Sequence, residues 1–512
     1  MVFLALGVSV TLCYLQVGSH QFVWDSEHIF QNEQLRTFTW DNVAWIFTHA
    51  IIANWHPISW LSHTLDFTLF GWSPGGHHLV SVFIHFLNGL TVYLLVKRLC
   101  LTQVRTVAIV DETKVILISA LSALLFVLHP LRVESVAWVA ERKDVLYSFF
   151  TLLSVMSYLF YIDGKSKNIR RVYYGISLLL FILALLSKSM AVTLPAVLLI
   201  LDCFALNRVT LKESLLNPRE WLRIARQILP DKTTYFAISF VAIVITVVTQ
   251  EDAISTASLT FAQQIQNTIH NVGFYLYRLL VPLNLSPFYP YPPLEEIGSP
   301  GYWLPALIAL IVFSGTSITM AMRGNAIPLC CWLIYLVTLL PVSGIIPVGS
   351  AVSADRYAYM TLLPIIVLLA IGMVNIFQMF PRFRSITFSL ILFSLLALGM
   401  LTHAQVSVWK TPLTLWTRVI QLYPDAALAH RNISAAYNLM GDRRKALSHL
   451  EYISNLGWNV DKELAGTLAQ MDRNAEALAV YEKMILSGTY TEAENRLFKL
   501  EADRLQAPVK SH

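Results

Sequence analysis

Charge is what this sequence has least of. Only 13% of its 512 residues are Asp, Glu, Lys or Arg, against 56% that are hydrophobic, and the mean hydropathy is +0.57. So much apolar surface exceeds what a soluble core of this size can bury, and it recurs in runs near the roughly 20-residue length that a bilayer requires. Cysteine is also scarce. The five, Cys13, Cys100, Cys203, Cys330 and Cys331, lie in or beside apolar runs, which implies neither a disulfide framework nor a zinc set. The formal charge of +5 sits in short loops, where basic residues report orientation; no nucleic-acid partner is read from it. The first apolar run lacks the basic flank and small-residue cleavage site of a signal peptide, so it reads as an uncleaved first helix.

Eleven apolar runs look long enough to cross a membrane: 2–17, 79–96, 115–129, 145–162, 173–187, 190–206, 233–249, 303–322, 326–346, 357–379 and 385–403. A twelfth, 268–283, carries His270, Asn271, Arg278 and Pro282 and is expected to be re-entrant or short. With that segment not crossing and the amino terminus inside, most Lys and Arg fall in the inner loops, as the positive-inside rule demands. The fold class expected is all-α, a polytopic helical membrane protein.

In that topology Asp25, Glu27, His129, Glu134, Arg142, Lys143, Asp144, Lys188, Asp355 and Arg356 all reach the outer face, from loops far apart in the chain. Ionisable groups at span ends are costly, and their convergence on one side marks a candidate site. A carboxylate near the first span and cations at later ones suit a proton acceptor facing an anionic leaving group. Asp25 is the candidate base, with Glu27 beside it. Arg142, Lys188 and Arg356 are candidates for binding that anionic group. His129, Glu134, Asp144, Asp355 and Tyr357 are placed in support, the acids orienting cations because an acid beside an anion repels it.

The long first outer loop, 17–77, is nearly free of Lys and Arg but rich in Trp and His. Its apolar spacing predicts short amphipathic helices in the membrane interface. His49, His56, His63, His77, His78 and His85 show no ligand spacing with an acidic third partner, so no metal site is assigned. In the second outer loop Pro130 ends a span, and Glu134, Ala137 and Glu141 are expected on one face of a short helix, with Val133, Val136 and Val139 as its buried stripe.

Several strings recur in order: an acid after the first span, His129-Pro130 followed by Glu134 and Arg142-Lys143-Asp144, Ser187-Lys188, the run from Tyr275-Leu276 to Phe288-Tyr289-Pro290, Leu340-Pro341-Val342-Ser343, and Asp355-Arg356-Tyr357. That order resembles the transmembrane and tetratricopeptide-repeat family of protein O-mannosyltransferases and its bacterial relatives, which are GT-C class glycosyltransferases. The resemblance covers nearly the whole chain and implies a GT-C-like fold. It also implies inverting transfer of one sugar from a polyprenyl- or dolichyl-phosphate donor to a Ser or Thr hydroxyl of a protein. The donor is then a lipid-phosphate-linked sugar; no other cofactor is fixed, and a divalent metal requirement stays open. The family often has adjacent acids after the first span, whereas here Trp24 and Ser26 flank Asp25; its animal members have Lys-Glu where this chain has Lys188-Ser189.

Past about 404 the apolar runs stop. Tyr437, Gly441-Asp442, Ala446 and Leu450 carry the offsets of one tetratricopeptide repeat after a half repeat, and Leu464, Leu468, Asp472, Ala477 and Tyr481 suggest a second, degenerate copy. The domains expected are therefore a transmembrane glycosyltransferase domain over 1–403, a helical repeat domain over 404–502 and a disordered tail over 503–512. A repeat surface of this kind can hold an acceptor peptide or partner protein, or act as a plain helical cap. The expected location is a bacterial inner membrane with site and repeats on the periplasmic side, or the endoplasmic reticulum in a eukaryote. Two other readings stand beside the transferase: a non-catalytic scaffold recruiting partners through the repeats, and a lipid-linked glycan polymerase or ligase.

Overall fold

The computed structural model describes residues 1–51, 54–104, 111–206, 208, 223–224, 226–249, 259–346, 349–487 and 489–506. Among these the chain is an all-α membrane protein, and its two named strands, Tyr289–Pro290 and Ala351–Ser353, pair antiparallel in one small ladder. Six helices are long and apolar enough to cross a membrane, up to eight if each of two sharply bent pairs is one span. Three shorter apolar helices, Ser189–Phe204, Thr233–Thr249 and Ile327–Val342, accompany them. Eight and three make eleven, and each coincides with one of the eleven apolar runs of the sequence. Arg105, Lys212 and Arg219, counted with the inner-loop cations, lie outside the described residues.

The helix Arg142–Asp163 shows how the bundle is built. Its 22 residues extend roughly 33 Å at 1.5 Å per residue, enough for a hydrocarbon core. Val145, Leu152, Val155 and Leu159 are buried along it, and a polar cluster marks each end. At the far end Asp202 accepts hydrogen bonds from Tyr158 (2.9 Å) and Arg208 (2.8 Å) and pairs with Lys232, while Asp231 pairs with Arg208 (2.9 Å) and Lys232 (3.0 Å). Tyr158 is sixteen residues after Arg142, roughly 24 Å along the axis. Both clusters keep their charges buried only by pairing them.

The polar run 268–283 forms, as far as Leu280, the second part of a helix, Phe261–Leu280, opened by a capping box between Thr260 and Gln263. It does not meet the length and apolarity expected of a crossing helix. Its polar side chains serve packing: Asn271 donates to the carbonyls of Ser343 (2.9 Å) and Val352 (3.2 Å), and Tyr275 to that of Ala354 (3.2 Å). The helix thereby anchors the segment that ends in Asp355-Arg356.

The chain divides into two compact units, Met1–Lys410 and Thr411–His512. The first extends past the expected boundary at 403, because the helix Arg384–Val408 runs on through the polar residues and Trp409 stacks on Trp138 at 5.7 Å. Among the described residues the second unit has six helices: Pro412–Leu422, Ala427–Leu439, Arg443–Asn455, Asp461–Gln470, Asn474–Leu486 and Glu492–Gln506. Its third and fifth helices have the same length and are offset by 31 residues (474 minus 443). Gly441 and Asp472 hold the same turn at that offset, both left-handed, at φ +80° and +58°. The last helix continues to Gln506, so residues 503–506 are ordered rather than tail; 507–512 lie outside the described residues.

Candidate active site

The first span breaks off at Ser19, and the backbone then threads back under the bundle end, where the Gln21 amide donates to the Lys410 carbonyl at 2.9 Å. Trp24 takes φ +55°. For a bulky residue that conformation is strained and persists only where surroundings impose it. The cause here is stacking: Trp24 lies on Trp138 at 4.6 Å with planes 12° apart. Asp25 follows at the N-cap of the helix Ser26–Gln31 and is half-buried, while Glu27 in the first turn points to solvent. Glu27 is therefore not drawn into the cluster that the other residues make.

Trp138 is also where the expected helix fails. The helical turn Val133–Ala137 stops there, the backbone becomes extended (φ −90°, ψ 111°), and a separate 3-10 turn, Val139–Glu141, follows. Glu134 and Glu141 do not share one helix face as the spacing suggested, yet both reach Arg356. The valines of the stripe are fully buried, and the break frees the Trp138 indole to lie under the Arg356 guanidinium at 5.6 Å.

Around that indole the charges interlock. Arg356 donates to Glu134 from Nη1 (2.5 Å) and from its backbone amide (3.0 Å), and its Nε lies 3.6 Å from Glu141. Lys188 meets Asp144 at 2.5 Å and Glu141 at 3.4 Å; Lys143 meets Glu141 at 3.1 Å. Ser135 donates to the other Asp144 oxygen at 2.9 Å. Burial works against the Lys188 ammonium, but Asp144 and Glu141 outweigh it and hold its pKa above the ordinary lysine value. Tyr357 turns its ring to both Arg356 and Lys188, and Tyr289 donates to Asp355 at 2.9 Å. The Tyr275–Pro290 string thus positions the Asp355-Arg356 turn from two hydroxyls.

Three residues behave differently from expectation. Arg142, expected to meet a donor phosphate, is fully buried and turned away from the cluster: it pairs with Asp66 and donates to Ser81 Oγ (3.2 Å) and the His77 carbonyl (2.5 Å). Asp66 carries no Lys or Arg within its own loop's helix, and that lone acid was the unread signal. His129 uses both ring nitrogens on backbone, accepting from the Leu131 amide (3.2 Å) and donating to the Leu279 carbonyl (3.0 Å), so it fixes the loop. Glu141, given no role beyond a shared face, is the common partner of three cations. The histidines also depart from their sequence reading: His63, Asp66 and His77 are all buried, with ligand atoms within 4.8 Å of one another.

Below the cluster lies an apolar cavity of about 400 Å³, lined among others by Tyr147, Met190, Ala191, Cys331 and Leu363. Met190 and Ala191 are two and three residues from Lys188.

Compared with known proteins, the chain is 24% identical over 230 residues to the human protein O-mannosyl-transferase TMTC4, covering 41% of this chain and 30% of that one. It is 26% identical over 222 residues to human TMTC2 and 28% over 169 to human TMTC1, covering 41% and 31% of this chain but 24% and 18% of those proteins. The chain is TMTC-like, at a distance. It matches less than a third of the length of these curated relatives, and no family model and no solved structure matches it.

Proposed function

We propose that this TMTC-like chain is a membrane glycosyltransferase moving a sugar from a polyprenyl- or dolichyl-phosphate donor to a Ser or Thr hydroxyl of a protein, on the non-cytoplasmic face, with inversion. The relatives named O-mannosyl-transferases favour a glycosyl transfer. The observation that carries the reading is the convergence, at one bundle end, of a base candidate and a partly open cation cluster beside an apolar cavity.

A hydroxyl attacks an anomeric carbon readily only as its proton leaves, and Asp25, fixed by the strained and stacked Trp24, is the acceptor for that proton. Leaving-group charge grows on the lipid phosphate. Arg356 and Lys143, whose side chains are 16% and 14% exposed, are the members of the cluster that a phosphate can reach, with Lys188 behind them. Their carboxylate partners hold the cations in place before the donor arrives, so stabilising the phosphate needs little reorganisation. The apolar cavity receives the first isoprene units. Arg142 has a structural part only, bracing the start of the helix that carries Asp144.

The test is to incubate the purified chain with labelled polyprenyl-phosphate sugars and periplasmic or lumenal protein. Label on Ser or Thr of protein supports the reading; label confined to glycan favours the polymerase or ligase; no transfer with any donor favours the scaffold.

A further inference from the structure

Two of the spans are broken rather than straight. The helix Glu112–Leu128 bends by 62° into the segment Pro130–Ala137, and the segment Asp355–Thr361 bends by 62° into the helix Leu363–Met379. Each break strands backbone carbonyls that lipid cannot satisfy. At the first, Pro130 has no N–H to give to the carbonyl four residues back, that of Phe126. Side chains from other elements meet three of these carbonyls: Thr402 donates to Leu128 (2.6 Å), His85 to Val127 (3.3 Å) and Arg132 Nε to Phe126 (3.3 Å).

Arg132 also serves the second break. Its Nη1 donates to the carbonyls of Ala358 (2.5 Å) and Tyr359 (2.7 Å), in the last helical turn before the bend. One guanidinium therefore ties together two breaks that lie 226 residues apart in the chain. It is fully buried between the rings of Phe126 (4.8 Å) and Tyr359 (5.6 Å). Among the described residues Arg142, Lys188 and Lys232 are the other buried cations, and each pairs with an acid; Arg132 has no carboxylate partner there. Carbonyl dipoles and aromatic faces offset the desolvation of its charge. Its donors are directed at backbone position.

Glu134 lies two residues beyond Arg132, and Arg356 two residues before Ala358. The Glu134 carboxylate accepts from Arg356 Nη1 (2.5 Å) and from the Arg356 amide (3.0 Å). Both members of that pair thus stand two residues from one planar fork with fixed donor geometry. We propose that Arg132 is the positioning residue that sets Arg356 against Glu134 and so, resting on the transferase reading above, against the donor phosphate. Arg132 itself meets no substrate. Arg132→Lys keeps the charge, but a single nitrogen cannot span the Phe126 carbonyl and those of Ala358 and Tyr359.

The full chain in nanodiscs, wild type and Arg132→Lys, is followed by hydrogen exchange and by single-turnover transfer from a polyprenyl-phosphate sugar, each corrected for folded fraction. The expected result is faster exchange in segments 130–137 and 354–361, which hold the Glu134 and Arg356 contacts, with the far end of the helix Arg142–Asp163 unchanged. Transfer by Arg132→Lys falls roughly 10–100-fold. The loss is not additive: in an Arg356→Lys background the same substitution changes transfer by less than about twofold, whereas a residue that only stabilised the fold would lower every background alike. Should Arg132→Lys fail to fold, Phe126→Leu, which keeps Arg132 and removes one of the rings it lies on, is expected to quicken exchange in the same two segments. Unchanged exchange there, in folded Arg132→Lys or in its substitute Phe126→Leu, overturns the clamp, and full transfer by Arg132→Lys overturns its part in the reaction. Wild-type protein that transfers nothing overturns the transferase reading instead, and the exchange result alone then decides whether Arg132 holds the pair.

Discussion

Glu141 and Glu134 divide the cations of the cluster unequally, and that inequality predicts which glutamate matters more. Glu134 makes the shorter contact, 2.5 Å to Arg356; Glu141 makes three longer ones, 3.1, 3.4 and 3.6 Å to Lys143, Lys188 and Arg356. At an effective dielectric of about 20 the single short contact is worth roughly 7 kcal/mol gross, and the three longer ones together roughly 15. Both carboxylates are almost fully buried, 2% and 3% exposed, so their desolvation costs are alike and cancel in the comparison. Each glutamate also faces other buried acids, Glu134 facing Asp355 and Glu141 facing Asp144, so like-charge repulsion weighs on both and does not reverse the order. Breaking a buried pair usually costs about 3–5 kcal/mol. Glu141→Gln is expected at or above that range and Glu134→Gln below it, a difference of at least about 2 kcal/mol. Reversible unfolding in bicelles, followed for the wild type and both variants, measures it. Equal losses, or a larger loss for Glu134→Gln, would falsify the assignment of Glu141 as the hub.

Asp472 sits left-handed where the preceding repeat has Gly441, so Asp472→Val is expected to cost about 1–2 kcal/mol while Asp472→Gly costs nothing, read as the melting of the repeat unit. A Cβ on Gly344 would meet Asn267 Nδ2 at 2.6 Å with the backbone at φ +91°, so Gly344→Ala is expected to destabilise by about 1–3 kcal/mol and to loosen protease protection of the 343–354 segment. His20 and His56 are buried, and desolvation lowers the first to a pKa of about 4 and the second well below the usual value. Unfolded histidine takes its proton near pH 6.5 and the folded rings do not, so stability present above that pH is lost as pH falls, by about 1.4 kcal/mol per unit for each ring. Denaturation midpoints between pH 7 and 5 check this, and His56→Phe should flatten the profile.

Much of the architecture was legible because bilayer solvation writes itself into runs of apolar residues: all eleven runs became apolar helices. The repeat unit was legible for a similar reason, since Ala446, Leu450, Leu468, Ala477 and Tyr481 are all buried at the offsets their spacing implied. Within the site, Glu134, Asp144, Lys188 and Arg356 meet, as opposite charges at the same end of a bundle tend to. What spacing could not show is which charge takes which partner. Arg142 sits beside Lys143 in sequence but faces the other way round its helix, toward Asp66 from a loop whose helix packs there only in three dimensions. The break at Trp138 was hidden too, because Val-Ala-Trp-Val-Ala is good helix sequence and only the stack of Trp24, Trp138 and Trp409 interrupts it. Histidine spacing likewise concealed the grouping of His63 with His77, which depends on the turn at Gly71.

The proposed transfer depends on proton removal by Asp25, the residue that follows the stacked Trp24. The most direct measurement is single-turnover transfer of labelled sugar from a polyprenyl-phosphate donor by the wild type and by Asp25→Asn, with donor binding and thermal midpoint followed in the same preparations. Loss of transfer by Asp25→Asn at unchanged donor affinity and folding is the predicted result; transfer at the wild-type rate would contradict it.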